Sequence, residues 1–367
     1  MKRIILSGGG TGGHIYPAVS VAEALKKRFG EDVEILFVGA EGKMEMTLIS
    51  NLGYNIKGLK IVGLQRRLTL KNFALPYYLL RSLNQARRII KEFKPDVVAG
   101  FGGYASAPIV FVAQTMGVPT VIQEQNSYAG LVNKIVGGRA KKVCVAYDGM
   151  ERFFDESKIV MTGNPLRSAF GKGNIDRAEA FAHYGLEEGK PTILVVGGSL
   201  GTRTLNNMMK SWVVTLGGEA PVQVVWQTGR FYEKEMREFF ANYPTKNISL
   251  VPFIDRMDYA YEIADVVISR SGACTVSELC LAKKPTLFVP SPNVAEDHQT
   301  KNAMALVDKD AAVMVKDCDA ADCGIATALK MVGDKAQLEQ LSQNIAKLAT
   351  PDAAERVADE IVKQIKQ

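Results

Sequence analysis

Short β-branched apolar runs alternate along this chain with stretches whose apolar residues recur every three or four positions, and glycines mark the junctions. Lys2–Ser7 predicts a buried strand. Beyond the glycines that follow it, Ala18, Val21, Ala22 and Leu25 fall on one face of a helix. Val33–Val38, Asp96–Ala99, Pro119–Ile122 and Lys142–Ala146 repeat the strand theme. It restarts at Pro191–Val196, with Val222–Gln227, Ile248–Val251, Val266–Ser269 and Thr286–Val289 behind it. Strands apolar on both faces, alternating with helices, describe a parallel sheet covered on both sides. The fold class is α/β, with two doubly wound parallel-sheet domains. Turn formers crowd Gly163-Asn164-Pro165 to Gly173-Asn174, which sets an N-terminal domain at 1–165 and a C-terminal one at 166–350. Residues 351–367 predict an amphipathic helix with Ala354, Val357, Ala358, Ile361 and Ile365 on one face. Doubly wound sheets bind ligands at the carboxyl ends of their strands, so a cleft between the two domains is the expected active site.

Composition narrows this picture modestly. A length of 367 residues suits about two domains, and 47% hydrophobic with 23% charged residues excludes a largely disordered chain. The formal charge of +6 tolerates an anionic partner without naming one. Cys144, Cys274, Cys280, Cys318 and Cys323 form no CxxC pair and no cluster with histidine; an odd count suits reduced thiols in a reducing compartment. The opening Met1–Ser7 is no signal peptide, and no run of about 18 apolar residues occurs. The expectation is a cytosolic chain with no spanning helix, with surface attachment to a membrane left open.

The candidate chemistry sits at the glycine junctions. Gly8-Gly9-Gly10-Thr11-Gly12-Gly13-His14 joins the first strand to the first helix, where glycines admit close approach to backbone N–H groups and the helix start favours anions. Gly8-x-Gly10-x-x-Gly13 also fits a dinucleotide fingerprint, with Glu41 as its acidic ribose partner. His14, one of three histidines, stands where loop becomes helix and is suited to general base work, while a helix-start residue satisfied by backbone is its plainer reading. His183 reads as ordinary surface. In the second half, Arg270-Ser271-Gly272-Ala273-Cys274-Thr275-Val276-Ser277-Glu278 follows a strand and enters a helix, offering N–H groups and hydroxyls to a diphosphate. Glu278 could accept from a vicinal diol or simply be a solvated helix carboxylate. Glu296–Ala303 opens another helix with polar side chains placed to read sugar hydroxyls, or to cap.

Six co-linear segments carry a resemblance. Gly10–Ala18, Gly102-Gly103-Tyr104-Ala105-Ser106, Gln123-Glu124-Gln125-Asn126, Gly163-Asn164-Pro165-Leu166-Arg167, Gly197-Gly198-Ser199 and Ser271–Glu278 resemble the MurG family of peptidoglycan N-acetylglucosaminyltransferases, over essentially the whole chain. The resemblance implies a GT-B architecture, two Rossmann-like domains with an interdomain cleft, and a final helix that crosses back to the N-terminal domain. It implies an inverting transfer of GlcNAc from UDP-GlcNAc to the C4 hydroxyl of MurNAc in lipid I, giving lipid II, without a covalent intermediate. It places donor contacts at Thr11, Gly12, Gly13, Asn126, Arg167 and Ser199, with uracil at Ile254. Diphosphate and ribose contacts follow at Ala273, Cys274, Thr275, Val276, Ser277 and Glu278, and sugar contact at Gln299. Family members commonly read His-Glu-Gln-Asn where this chain has Gln123-Glu124-Gln125-Asn126, which removes an imidazole at 123. They often read Gln-Gln at His298-Gln299, which leaves Gln299 as the sugar reader.

Within that frame, His14 is the favoured base and Glu124 the second candidate. No DxD-like carboxylate pair accompanies the donor motifs, so neither an obligatory metal nor a cofactor is expected, and no nucleic acid. A lipid-linked acceptor implies peripheral attachment at the cytoplasmic face of the inner membrane. Cations, aromatics and leucines between Leu64 and Arg81 suit an anionic surface, with Arg66, Arg67, Lys71, Phe73, Tyr77 and Tyr78, besides Tyr104, as acceptor or membrane residues. A loop and buried helix would explain the same segment. Other cell-wall synthesis proteins are conceivable partners. The rival readings are a dinucleotide-dependent oxidoreductase, another GT-B UDP-sugar enzyme with a different acceptor, and a nucleotide-binding scaffold without turnover.

Overall fold

The computed structural model describes residues 1–61, 75–166, 175–198 and 200–365. Among them, the first sheet has seven parallel strands: β1 (Lys2–Ser7), β2 (Val33–Ala40), β3 (Asn55–Leu59), β4 (Val97–Gly100), β5 (Thr120–Glu124), β6 (Lys142–Val145) and β7 (Ile159–Met161). Their spatial order is β3-β2-β1-β4-β5-β6-β7. The second sheet holds β8 (Thr192–Val196), β9 (Glu219–Gln227), β10 (Lys246–Val251), β11 (Val266–Ser269), β12 (Thr286–Phe288) and β13 (Val313–Met314), in the order β10-β9-β8-β11-β12-β13. Counted within each sheet, the second runs 3-2-1-4-5-6 and the first 3-2-1-4-5-6-7, the doubly wound order with one added edge strand. Each therefore reverses direction beside its first strand, between β1 and β4 and between β8 and β11, which is where such sheets bind ligands.

Alternation along the strands builds two layers against the first sheet. Ile4, Leu6, Ile35, Phe37, Val97 and Ala99 pack on one face with Ile15, Val19, Ala22 and Leu25 of the helix Gly12–Phe29. Ile5, Leu36, Val38 and Val98 pack on the other with Ala86, Ile89 and Ile90 of the helix Leu75–Phe93 and Ile109, Val110 and Ala113 of the helix Ser106–Thr115. In the second sheet Ile193, Val195, Val224, Trp226, Val266 and Ile268 pack against Leu205, Met208 and Met209 of the helix Arg203–Val213.

The chain divides into two compact units, Met1–Ser168 with Thr350–Gln367, and Ala169–Ala349. The last helix, Ala353–Val362, inserts Val357, Ala358 and Ile361 into the core beside the first helix, and Arg28 pairs with Asp359. Gly163 adopts a φ of +80° against the Thr350 side chain, so close that a Cβ there would overlap it. Three strands that the hydrophobic pattern does not reveal, β3, β7 and β13, are the outermost in their sheets. No described helix is long and apolar enough to cross a membrane.

Candidate functional site

In the first unit, the turns after β1 and β4 meet at the switch point. His14 occupies the first turn of its helix, with Nδ1 3.1 Å from the Gly9 carbonyl and 3.2 Å from Thr11 Oγ1. A carbonyl only accepts, so in the neutral ring Nδ1 carries the hydrogen and Nε2 the lone pair. The ring lies against the β4 turn: a Cβ on Gly102 would stand 3.1 Å from His14 Cδ2, and one on Gly103 3.2 Å from Nδ1. Both glycines have positive φ, 83° and 76°. Tyr104 lies against Gly10, its hydroxyl pKa raised by burial and by the charge of Glu45.

Glu124 ends β5 and is 1% exposed. Its Oε1 accepts from the Asn126 backbone N–H at 3.0 Å and from Asn126 Nδ2 at 3.3 Å; its Oε2 accepts from the Gly130 N–H at 2.9 Å and from Asn133 Nδ2 at 2.8 Å. The carboxylate thus ties the β5 turn to the next helix, Leu131–Gly137. Glu45 does a comparable job under the glycine loop. It is fully buried, its Oε1 accepting from the Ala40 N–H at 3.1 Å and its Oε2 from the Gly10 N–H at 3.4 Å. Its side chain fills the space that Gly9 and Gly39 leave open.

In the second unit, a cavity of about 610 Å³ opens at the switch point. Its walls come from the turns after β8 (Gly197, Gly198, Gly201), β10 (Phe253, Ile254) and β11 (Arg270, Gly272), with Thr275 and Glu278 from the helix Ala273–Ala282 and Gln299 from the helix His298–Val307. Thr202 Oγ1 donates to the Gly197 carbonyl at 2.9 Å and closes the glycine turn. The Arg270 guanidinium is held by the Val289 carbonyl at 2.7 Å and by Asp317 at 2.5 Å. Gln299 Oε1 accepts from the Ser291 N–H at 2.9 Å. Tyr261, buried behind Glu278, has its pKa pushed well up by desolvation and then by that carboxylate.

Two domain families fit this frame end to end: the glycosyltransferase family 28 N-terminal domain matches residues 4–145 and the corresponding C-terminal domain residues 192–357. The chain belongs to glycosyltransferase family 28. It is 53% identical over 363 residues to the UDP-N-acetylglucosamine--N-acetylmuramyl-(pentapeptide) pyrophosphoryl-undecaprenol N-acetylglucosamine transferase of Parabacteroides distasonis, covering 99% of this chain and 98% of that one. The protein of that name from Bacteroides thetaiotaomicron is 51% identical over 362 residues, covering 98% and 97%. Among solved structures, MurG of Acinetobacter baumannii matches with a TM-score of 0.79 and 30% identity, over 99% of this chain and all of that one. The MurG resemblance carried by the motifs therefore holds along the whole chain, and the fold is GT-B. Membership of this glycosyltransferase family sets aside the oxidoreductase that Gly8-x-Gly10-x-x-Gly13 left open.

The residues singled out from the family pattern fall in two groups. Thr11, Gly12, Gly13, His14, Tyr104, Glu124 and Asn126 cluster at the switch point of the first unit; Ile254, Thr275, Glu278 and Gln299 line the cavity of the second. Ala273, Cys274, Val276 and Ser277 are not among the lining residues. Helical spacing explains this: positions 275 and 278 share the cavity face, Val276 turns into the core, and the Ser277 hydroxyl donates to the Ala273 carbonyl. Tyr77 and Tyr78 sit on the helix Leu75–Phe93, ring to ring at 5.5 Å. Arg66, Arg67, Lys71, Phe73, Arg167 and Ser199 lie outside the described residues. Glu41 stands 4.0 Å from Lys60. His183 is exposed, as its reading as surface expects, with its ring edge-on to Tyr184 and Tyr259 and 3.7 Å from Asp255. Pattern reading missed Glu45, Thr202, Gln227 and Asp317, the partner that holds Arg270. Only the acidic residue in the first turn after β2 offered a local signal.

Proposed function

We infer that this glycosyltransferase moves GlcNAc from UDP-GlcNAc to the C4 hydroxyl of MurNAc in lipid I, producing lipid II for peptidoglycan. The full-length relationship at 53% identity to a transferase of that name carries the reading. Glycine turns and helix starts at both switch points supply chemistry that fits it. The C4 oxygen attacks the anomeric carbon opposite UDP. The bond to the β-phosphate oxygen breaks with its electron pair on UDP, and the hydroxyl proton passes to His14 Nε2. The Gly9 carbonyl, fixed by the loop, holds the tautomer this requires and stabilises the imidazolium that forms. Glu124, with both oxygens already accepting from four donors, positions Asn126 and Asn133 and leaves the proton to His14. Charge gathering on UDP meets the N-terminal end of the helix Ala273–Ala282, a fixed dipole. Glu278 accepts from the ribose diol and Gln299 reads the sugar; Arg167 and Ser199 remain proposed donor contacts.

Incubation with UDP-GlcNAc and a short-chain lipid I analogue should release UDP and yield the disaccharide product. His14→Ala should lower kcat by roughly 10²–10⁴ with UDP affinity unchanged. A loss of only a few-fold would move His14 from base to binding residue.

The lipid-linked acceptor calls for a membrane surface, and the proposed attachment is peripheral, at the cytoplasmic face. The helix Leu75–Phe93 buries Ser82, Ala86, Ile89 and Ile90 and exposes Tyr77, Leu80, Arg81, Asn84 and Arg88 on its other side. Apolar and cationic groups so mixed suit an anionic headgroup layer. Replacing Leu80, Arg81 and Arg88 together by Ser should weaken co-sedimentation with vesicles containing phosphatidylglycerol, most visibly at low salt, where the arginines' attraction is least screened. Equal sedimentation of both proteins would refute this surface.

A further inference from the structure

Gln227 closes β9 at the floor of the second unit's cavity and is 4% exposed. Its backbone lies in register with Val196 of β8 on one side and Val251 of β10 on the other. It therefore sits between the glycine turn after β8 and the Phe253–Ile254 turn after β10. Its Nε2 donates to the Gly198 carbonyl at 3.2 Å. That bond fixes the amide: the flipped orientation would set two oxygens face to face. The Oε1 so oriented is buried and has no hydrogen-bond partner among the described residues. A buried amide oxygen without a donor costs on the order of 1–3 kcal/mol, so its retention in a ligand cavity calls for a partner.

We propose that Gln227 Oε1 accepts a hydrogen bond from the nucleoside half of the bound sugar nucleotide, either a ribose hydroxyl or the uracil N3–H. This rests on reading the cavity as the UDP-sugar site. The chemistry removes other portions of the ligand. A diphosphate presents only acceptors and would be repelled by the amide oxygen. The transferred sugar must lie where the acceptor alcohol can reach it, so it belongs at the mouth of the cavity; the nucleoside, which stays behind as part of the leaving group, belongs at the floor. Gln227 thereby becomes a specificity residue, making the loss of one donor on the ligand costly because the amide would return to its unpaired state.

Calorimetric titration of the full chain with UDP, 2′-deoxy-UDP, 3′-deoxy-UDP and 3-methyl-UDP tests this, on the wild type and on Gln227→Leu. One analogue should bind the wild type roughly tenfold more weakly than UDP. Gln227→Leu should weaken UDP by a similar factor and no longer distinguish that analogue from UDP. Wild-type protein that binds all four alike overturns the proposal, even where the leucine variant fails to fold. So does a variant that discriminates as the wild type does, or one that weakens UDP-GlcNAc but not UDP, which would move the contact to the sugar. Wild-type protein that binds no UDP at all would instead defeat the reading of the cavity.

Discussion

Cys144 and Cys280 hold buried thiols, and burial pushes each up to about 12 from an ordinary 9.0, with Glu360 adding to the effect at Cys144. Folded protein therefore keeps these protons where the unfolded chain has lost them. The stabilisation is complete below about pH 9 and disappears as pH rises toward about 12. Between those limits the two groups together should cost the fold on the order of several kcal/mol. Urea midpoints measured from pH 8 upward should fall steeply for wild type and less steeply for Cys144→Ala with Cys280→Ala; identical slopes would refute the assignment. The same desolvation logic explains why some functional residues were legible and others were not. His14 stood out because imidazole is rare here and the glycines around it advertise a ligand loop. Glu45 and Gln227 act through burial, and burial of a single polar side chain leaves no mark on the local pattern. Glu124 was legible as a residue but not as an anchor, since its four donors come from positions up to nine residues away.

At the level of elements, the inner strands of each sheet could be read from continuous apolar runs because they are covered on both faces. Of the outermost strands, only β10 could be read, from Ile248–Val251; β3, β7 and β13 could not. Asn55–Leu59 alternates exposed and half-buried positions, while Ile159–Met161 and Val313–Met314 are too short to show a period. The turns were legible through glycine, and one of them supports a sharp prediction. Gly103 adopts a φ of 76°, and a Cβ there would overlap the carbonyl oxygen of Gly9, the group that accepts from His14 Nδ1. Gly103→Ala must therefore displace the acceptor that orients His14, the proposed base. Gly117 has almost the same φ, 77°, with nothing within 4 Å of its would-be Cβ, so Gly117→Ala bears only the backbone cost of roughly 1–2 kcal/mol. Both variants should lose stability by thermal melting. Only Gly103→Ala should lose transferase activity by more than tenfold while still binding UDP. Equal activity in the two would mean that the Gly9 carbonyl does not orient the ring.

For the whole molecule, the sequence order of the chain and the order of its units differ, because the last helix completes the first core. Ile361 is fully buried among Val19, Ala22 and Leu25, residues over 300 positions earlier, with Val357 and Ala358 beside it. Ile361→Ala should remove about 2–5 kcal/mol, the usual cost of truncating a buried aliphatic side chain. The loss should fall on the unit that holds His14, not on the unit that encloses the cavity. Leu341→Ala, a truncation in the core of the second unit, provides the converse. Calorimetric scans with and without UDP separate the two cases, since a ligand raises the transition of the unit that binds it. Ile361→Ala should lower the transition that UDP leaves unmoved, and Leu341→Ala the one that UDP raises. If both variants lowered one common transition, the units would unfold together, and the closing helix would stabilise the entire chain instead of one half of it.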